Sequence, residues 1–227
     1  MVDVGAIEDA LASSGLVLRG GFNFGTGEAA PSGRSSRPAR SVMLVGNAGA
    51  GYWPRFQAWL NAQTVDLANP LDAWSRSVVG TVAERFGARA LSPSDRPYAP
   101  FQQWAMRAEG LRPSPLGILI HPIYGLWHAY RAALLFDDEV SVPVPREPIH
   151  LCDACTGKPC IKSCPVGAHS GEGFAYRDCL DHVNDAAGGA CRTFGCLDRN
   201  ACPFGLEYRY PSTVQAFHMA AFAAHRK

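Results

Sequence analysis

Apolar positions recur at helical spacing from Ile7 to Ala12 and stop at Ser13-Ser14-Gly15, which predicts a short first helix. Residues 16–24 then read as extended, and residues 26–40, rich in Gly, Ser, Pro and Arg, read as a mobile loop. Ser41 to Asn47 is a short apolar run closed by glycines, the pattern of a buried strand. Helices are predicted over Trp53–Ala62 and Pro70–Phe86, the second with Leu71, Trp74, Val78, Val82 and Phe86 on one face. A further helix over Pro100–Ala108 has Gly110 placed to end it. Leu116–Ile120 and Tyr130–Phe136 are strand-like and are joined through His121-Pro122-Ile123-Tyr124-Gly125. Residues 142–149 carry three prolines and read as a seam. A last helix is predicted over Ser212–Ala224, packing Val214, Phe217 and Phe222. Helices and strands thus mix through residues 1–145, while 150–205 has little periodicity and reads as a loop-rich module that only bound metal would hold together.

Composition narrows this picture without changing it. At 227 residues, 47% hydrophobic and 18% charged, the chain is an ordinary globular protein of one or two domains. Its net charge of +1 gives no pull on a polyanion, so no nucleic-acid partner is expected. The acidic start, Met1 to Asp9, lacks the basic-then-apolar pattern of a secretory leader, and no apolar run approaches the roughly 20 residues that span a bilayer. A reducing cytoplasm and no membrane are the expectations.

The cysteines carry the chemistry. All eight lie between Cys152 and Cys202: Cys152, Cys155, Cys160 and Cys164 followed by Pro165, then a lone Cys179, then Cys191, Cys196 and Cys202 followed by Pro203. Dense thiolates with proline directly after two of them are the pattern of iron–sulfur ligation, and eight supply two [4Fe–4S] clusters with none left over. In two-cluster ferredoxins the cysteine before proline reaches across to the other cluster. Applied here, Cys152, Cys155, Cys160 and Cys202 hold one cluster, and Cys164, Cys179, Cys191 and Cys196 the other. Gly157, Gly167, Gly195 and Gly205 are placed to let backbone amides approach the sulfurs. Two zinc sites are the competing reading, but the uneven gaps match no common zinc spacing. A disulfide framework would need an oxidising compartment. His150, His169 and His182 flank the thiols and read as neighbours rather than ligands.

This cysteine order resembles that of the epoxyqueuosine reductases, which carry two [4Fe–4S] clusters beside a cobalamin, and more distantly the reductive dehalogenases. Upstream, His121 to Arg131 is similar to a Trp- and Arg-containing segment of the cobalamin-trafficking chaperone, which also uses reduced flavin. The resemblance implies an α+β fold, with a nitroreductase-like N-terminal domain over 1–145 and a ferredoxin-like, loop-rich dicluster module over 146–227. It implies a corrinoid or flavin in the first domain, and a proton-donating aspartate for which Asp95, in Ser94-Asp95-Arg96-Pro97, is the counterpart. The same Asp95 also suits an ordinary turn. The chain shows no counterpart of the helical repeats that follow the clusters in those reductases, so action on tRNA is not expected.

The remaining candidates are cofactor contacts. Gly46 and Asn47 open a glycine-rich turn that suits close approach of a phosphate, although the dinucleotide fingerprint spacing is missing. His121, Tyr124 and Trp127 are grouped as candidates with Arg131, whose fork suits a phosphate, a corrin amide or a carboxylate. Two readings follow. In one, electrons from a redox partner protein pass through both clusters to a corrinoid, a flavin or a small-molecule acceptor in the N-terminal domain. In the other, the chain is an electron carrier or assembly partner with no small-molecule site. Convergence of the Gly46, Asp95 and His121–Arg131 segments on one cavity separates them.

Overall fold

The computed structural model describes residues 2–142, 149–170 and 173–224. In chain order the first elements are α1 (Val4–Ala12), β1 (Val17–Asn23), β2 (Ser41–Ala48), α2 (Trp53–Asn61), α3 (Pro70–Arg85), β3 (Arg89–Leu91) and α4 (Phe101–Glu109). Short strands β4 (Arg112–Pro113) and β5 (Leu119–Ile120) follow, then the long β6 (His128–Phe136). The cysteine segment adds β7 (His169–Ser170), β8 (Gly173–Phe174), α5 (Tyr176–Asn184), α6 (Gly189–Phe194) and α7 (Leu197–Ala201), and α8 (Ser212–Ala223) closes the described chain. The mixture of helices and antiparallel strands agrees with the α+β expectation.

The chain forms two compact units: Met1–Gly110 with Ala129–Pro148, and Leu111–His128 with Ile149–Lys227. The division differs from a single boundary after residue 145. Leu116, Ile120 and Leu126 bury themselves against Cys152, Cys160 and Cys202, so apolar packing draws residues 111–128 into the cysteine unit. The proline-rich seam falls mostly on 143–148, outside the described residues.

Unit 1 is built on a four-stranded sheet in the order β1-β2-β6-β3. β2 buries every residue from Ser41 to Asn47, as a central strand covered on both faces must. Gly46 has a packing reason, because a Cβ there would meet the Ala129 carbonyl oxygen at 2.2 Å. Helix α4 ends where expected, with Gly110 left-handed at φ 68° and its N–H on the Met106 carbonyl. In α3 the buried stripe is Leu71, Trp74, Ser75, Val79, Val82 and Ala83. Val78 and Phe86 are only half-buried, so the predicted stripe is rotated. The segment expected as a mobile loop is tied down: Ser32 and Pro38 form a β-bridge, and the Ser35 N–H donates to Asp137 at 3.0 Å.

One ionic group sits inside unit 1. Arg19, 2% exposed, donates from Nε to Glu109 at 2.8 Å and from Nη2 to the second Glu109 oxygen at 3.0 Å. The Tyr130 hydroxyl also donates to Glu109, and burial pushes its ionisation well above the ordinary phenol range.

Unit 2 is less regular: residues 149–170 are mainly turns and loops, as expected, whereas helices follow from Tyr176 on. Helices α5, α6 and α7 occupy much of the space between Cys179 and Cys202. They are short because each is punctuated by a cysteine or glycine turn, which conceals their period in the sequence. α8 forms as expected, although it buries Val214 and Gln215, with Phe217 and Phe222 half-covered. Among the described residues no helix is long and apolar enough to cross a membrane.

Candidate metal centre

All eight cysteines are free thiols. They gather as two interleaved groups within unit 2. Cys160, in a 3-10 turn at Pro159–Ile161, is buried with Cys152 and Cys202 under Leu116, Ile120 and Leu126. Burial pushes the Cys160 thiol up to about 11, and Cys202, Cys152 and Cys155 add to the shift as neighbouring charges. Cys164, Cys179, Cys191 and Cys196 line one cavity of about 250 Å³. Burial likewise pushes Cys179 up to about 11, with Cys196, Cys164 and Cys191 as its charged neighbours. Cys179 is supplied by α5, Cys191 by α6 and Cys196 by the turn that starts α7. α7 therefore joins the two groups, since Cys196 precedes it and Cys202 follows it.

Backbone amides support the sulfurs. The Ala168 N–H donates to Cys164 Sγ at 3.3 Å, after a turn in which Gly167 has φ 60°. Arg199 and Asp198 give backbone N–H groups to Cys196, and Phe204 gives one to Cys202. The expected glycines act one step removed from the sulfurs. A Cβ on Gly205 would meet the Tyr124 carbonyl carbon at 2.4 Å, and one on Gly195 would meet Gln215 Oε1 at 2.1 Å. Gly205 permits close passage of backbone and Gly195 close packing of the Gln215 side chain; for Gly157 no such crowding exists, its nearest contact being 3.9 Å.

Donor chemistry decides what the groups suit. Four thiolates around one zinc lie at 2.3 Å from the ion, which brings the sulfurs within roughly 4 Å of one another. Among the described residues, no three His, Cys, Asp or Glu side chains are placed to hold one metal ion. A cube of four irons and four sulfides spreads its four thiolates wider than a single zinc does. Buried thiols that raise one another's pKa also need a cationic centre to become thiolates together.

Sequence reasoning overlooked Asp198. It is 0% exposed, accepts the Ser163 N–H at 3.0 Å, and stands 2.8 Å from His169 Nδ1. His169 in turn stacks on Phe174, with ring centroids 4.7 Å apart. Both residues line the thiol cavity. An acid two residues past a cysteine carries no signal of burial; only the fold turns Asp198 inward.

The other candidates sort into separate groups. In unit 1, Arg131 Nε donates to Asn47 Oδ1 at 2.9 Å, and the Asn47 amide donates to the Gly49 carbonyl at 2.9 Å. Asp95 lies in a turn: one carboxylate oxygen takes Arg76 Nη2 at 2.6 Å and the other takes the Ser92 N–H at 2.7 Å. Its side chain is 36% exposed. In unit 2, His121 stacks on Tyr124 at 4.1 Å and its Nδ1 accepts the N–H groups of Ile123 and Tyr124. Trp127 is fully buried, with Arg199 4.6 Å above its ring and Tyr210 at 5.5 Å. Asn47 pairs with Arg131, then, and His121 with Tyr124.

No protein-family model and no curated protein sequence matches the chain. Similarity appears in solved structures. An epoxyqueuosine reductase from Bacillus subtilis, with its catalytic aspartate loop swung out of the active site, matches 92% of this chain and 66% of its own at 15% identity and a TM-score of 0.51. An epoxyqueuosine reductase bound to a tRNA stem loop matches 77% of this chain and 51% of its own at 17% identity and a TM-score of 0.49. The C. elegans B12-trafficking protein CblC matches 98% of this chain and 97% of its own at 14% identity and a TM-score of 0.49. The chain spans about half the length of the tRNA-bound reductase. That complex holds the class of partner which the charge balance argues against here. At 15% identity the likeness to the Bacillus subtilis epoxyqueuosine reductase is one of fold.

Proposed function

We propose that the chain is an iron–sulfur redox protein holding two [4Fe–4S] clusters, which serves reduction of a corrinoid, a flavin or another small acceptor bound by unit 1. Cys152, Cys155, Cys160 and Cys202 hold one cluster, and Cys164, Cys179, Cys191 and Cys196 the other. The observation that carries the reading is the interleaving itself: thiols distant in sequence share one cavity, and each cysteine before a proline joins the group opposite its nearest neighbours. Bound clusters supply one-electron transfer at low potential. The chain's own residues hold the thiolates, direct amide N–H groups at Sγ and keep water from the buried group. The nitroreductase-like and ferredoxin-like assignments, and a cytoplasmic setting with a redox partner protein, belong to the same proposal.

Within unit 1, the buried Asn47 of β2 holds the half-buried Arg131 guanidinium, whose fork is a suitable contact for an acceptor's carboxylate, amide or phosphate. Asp95 is the candidate proton donor, on a loop, as the catalytic aspartate of the Bacillus subtilis reductase is. The carrier reading is favoured by one observation: Asp95 is already engaged by Arg76 and by its own turn.

Anaerobic purification tests the first layer. About eight irons per chain and broad absorbance near 400 nm are expected for two four-iron clusters, with about four irons after Cys179→Ser. Stoichiometric zinc without iron sinks the proposal. Titration with cobalamin and with flavin mononucleotide then separates the readings, because a carrier shifts neither spectrum.

A further inference from the structure

We propose that unit 1 carries a further ligand site, a cavity that takes a small planar organic oxyanion, with its flat apolar body against Trp104 and Leu91 and its carboxylate or phosphoryl end on Arg89 and Arg96. The cavity holds about 580 Å³, within the range of small-molecule sites, and all of its wall belongs to unit 1. Neither Asn47 nor Arg131 lines it, so it is distinct from the acceptor contact proposed above and does not depend on the clusters.

The apolar wall is built from β3, α4 and the loops beside them. On β3, Arg89 and Leu91 stand two residues apart and so face the same side of the strand, with Leu91 buried. From α4 comes Trp104, also buried and held edge-on by Phe22 at 6.5 Å and Phe24 at 6.0 Å. Pro31, Pro97 and Pro100 complete the wall, and their rings fix φ there. A wall made this way is in place before a ligand arrives, and a flat, rigid ligand loses little freedom on settling against it.

Charge is the second observation. The wall contains two arginines and no acid. Arg89 is half-buried and anchored by Nη1 on the Ser32 carbonyl at 2.7 Å, while Arg96 rests over the Tyr98 ring at 5.4 Å. Among the described residues neither guanidinium meets a carboxylate. The acids adjoining the wall in sequence are already engaged: Glu28 by Arg107 at 2.6 Å and the Gly25 N–H at 2.7 Å, and Asp95 by Arg76 at 2.6 Å and the Ser92 N–H at 2.7 Å. Arg96 is exposed, so water and salt screen its charge and a bare inorganic anion gains little. A purely apolar ligand would leave both guanidinium forks unused. A planar oxyanion uses the aromatic wall together with a fork that matches carboxylate or phosphoryl oxygens in pairs.

Titration calorimetry of the full, anaerobically purified chain tests the site with four probes: naphthoate, naphthyl phosphate, the uncharged naphthamide and inorganic phosphate. At least one of the two naphthyl oxyanions should bind, and the tighter of them identifies the charged end. Naphthamide and inorganic phosphate should each bind at least about tenfold more weakly. Arg96→Gln and Arg89→Gln should each weaken the naphthyl oxyanion by about tenfold, and Arg96→Lys, which keeps the charge without the fork, should recover only part of the loss. Backbone amide shifts on titration should centre on Ala30, Leu91 and Ala99. Failure of both naphthyl oxyanions to bind at millimolar concentration overturns the inference, as does naphthamide binding as tightly as naphthoate. Parent-like binding in Arg96→Gln overturns it as well, and that exposed residue decides alone should Arg89→Gln unfold. Loss of binding in Arg131→Gln but not in Arg96→Gln would put the oxyanion on the acceptor contact instead, and the inference falls. Iron analysis keeps the claims apart: fewer than about eight irons in the chain defeats the two-cluster reading and leaves this site standing.

Discussion

In unit 1 strand β2 buries seven successive residues, Ser41 to Asn47, whereas from residue 149 to 224 no run of more than two described residues is buried. Unit 1 closes over aliphatic and aromatic side chains such as Ile7, Val42, Leu44, Phe56 and Leu134. Burial of that kind stabilises by about 25 cal/mol for each Å² of apolar surface. Unit 2 places thiols where a core would have leucines: Cys152, Cys160 and Cys202 are 5–8% exposed and stand among Leu116, Ile120 and Leu126. Thiols pack as small hydrophobes, but four in one place contribute little area and resist joint ionisation. The difference teaches that one unit can be stable from its sequence alone, while the other, on the proposed two-cluster reading, couples metal binding to its folding.

Metal removal breaks that comparison most sharply, and it carries the largest expected effect. Anaerobic chelation of iron should raise amide hydrogen exchange in α5, α6 and α7 by at least about 100-fold, since structural metal contributes several kcal/mol to folding. Strands β2 and β6 should keep their protection over residues 41–48 and 129–136. Equal loss in both units would show that unit 1 also depends on the metal.

A second substitution probes whether unit 1 is as purely apolar in its stability as β2 suggests. Arg19 is buried and Glu109 grips two of its three guanidinium nitrogens. Glu109→Gln removes the anion and leaves a buried guanidinium uncompensated, which costs about 3–5 kcal/mol. Replacing both partners, Arg19→Met with Glu109→Gln, should recover much of that loss. Guanidinium unfolding of the iron-loaded protein, followed by tryptophan fluorescence, measures both variants. A single variant as stable as the parent would mean that the pair is solvated in a way its 2% exposure denies.

The regular unit was the more legible in sequence, for a physical reason. An apolar run such as Ser41–Asn47 or a helix stopped by Gly110 announces itself through local period and local backbone preference. The α3 stripe was misplaced by about one residue because Val78 and Val79 are equally apolar, and only the neighbouring elements choose between them. In unit 2 the thiols stood out as candidate ligands because their number and their prolines are chemical signals, and Cys164, Cys179, Cys191 and Cys196 line one cavity. The short helices between them were not, since six or five residues hold too few turns to show a period. Asp198 and the membership of residues 111–128 in unit 2 depend on contacts distant in sequence, which no local pattern records.

Asp95 gives the smallest stability effect and the finest discrimination. Its pair with Arg76 joins side chains 36% and 47% exposed, a setting in which ion pairs contribute about 0–1 kcal/mol. Asp95→Asn keeps a carbonyl oxygen for the Ser92 N–H and so preserves the turn, and the melting temperature should move by no more than a few degrees. Activity reads a different property of the same atom. If Asp95 donates the proton to a reduced acceptor, the amide cannot replace it, and turnover should fall by about 10²–10⁴-fold at unchanged iron content. If turnover falls no further than stability does, the residue is a turn former held by Arg76, and the proton must come from elsewhere in unit 1. A fall that Asp95→Glu partly restores would fix the role on the acid itself, because a longer carboxylate distorts the turn yet still carries a proton.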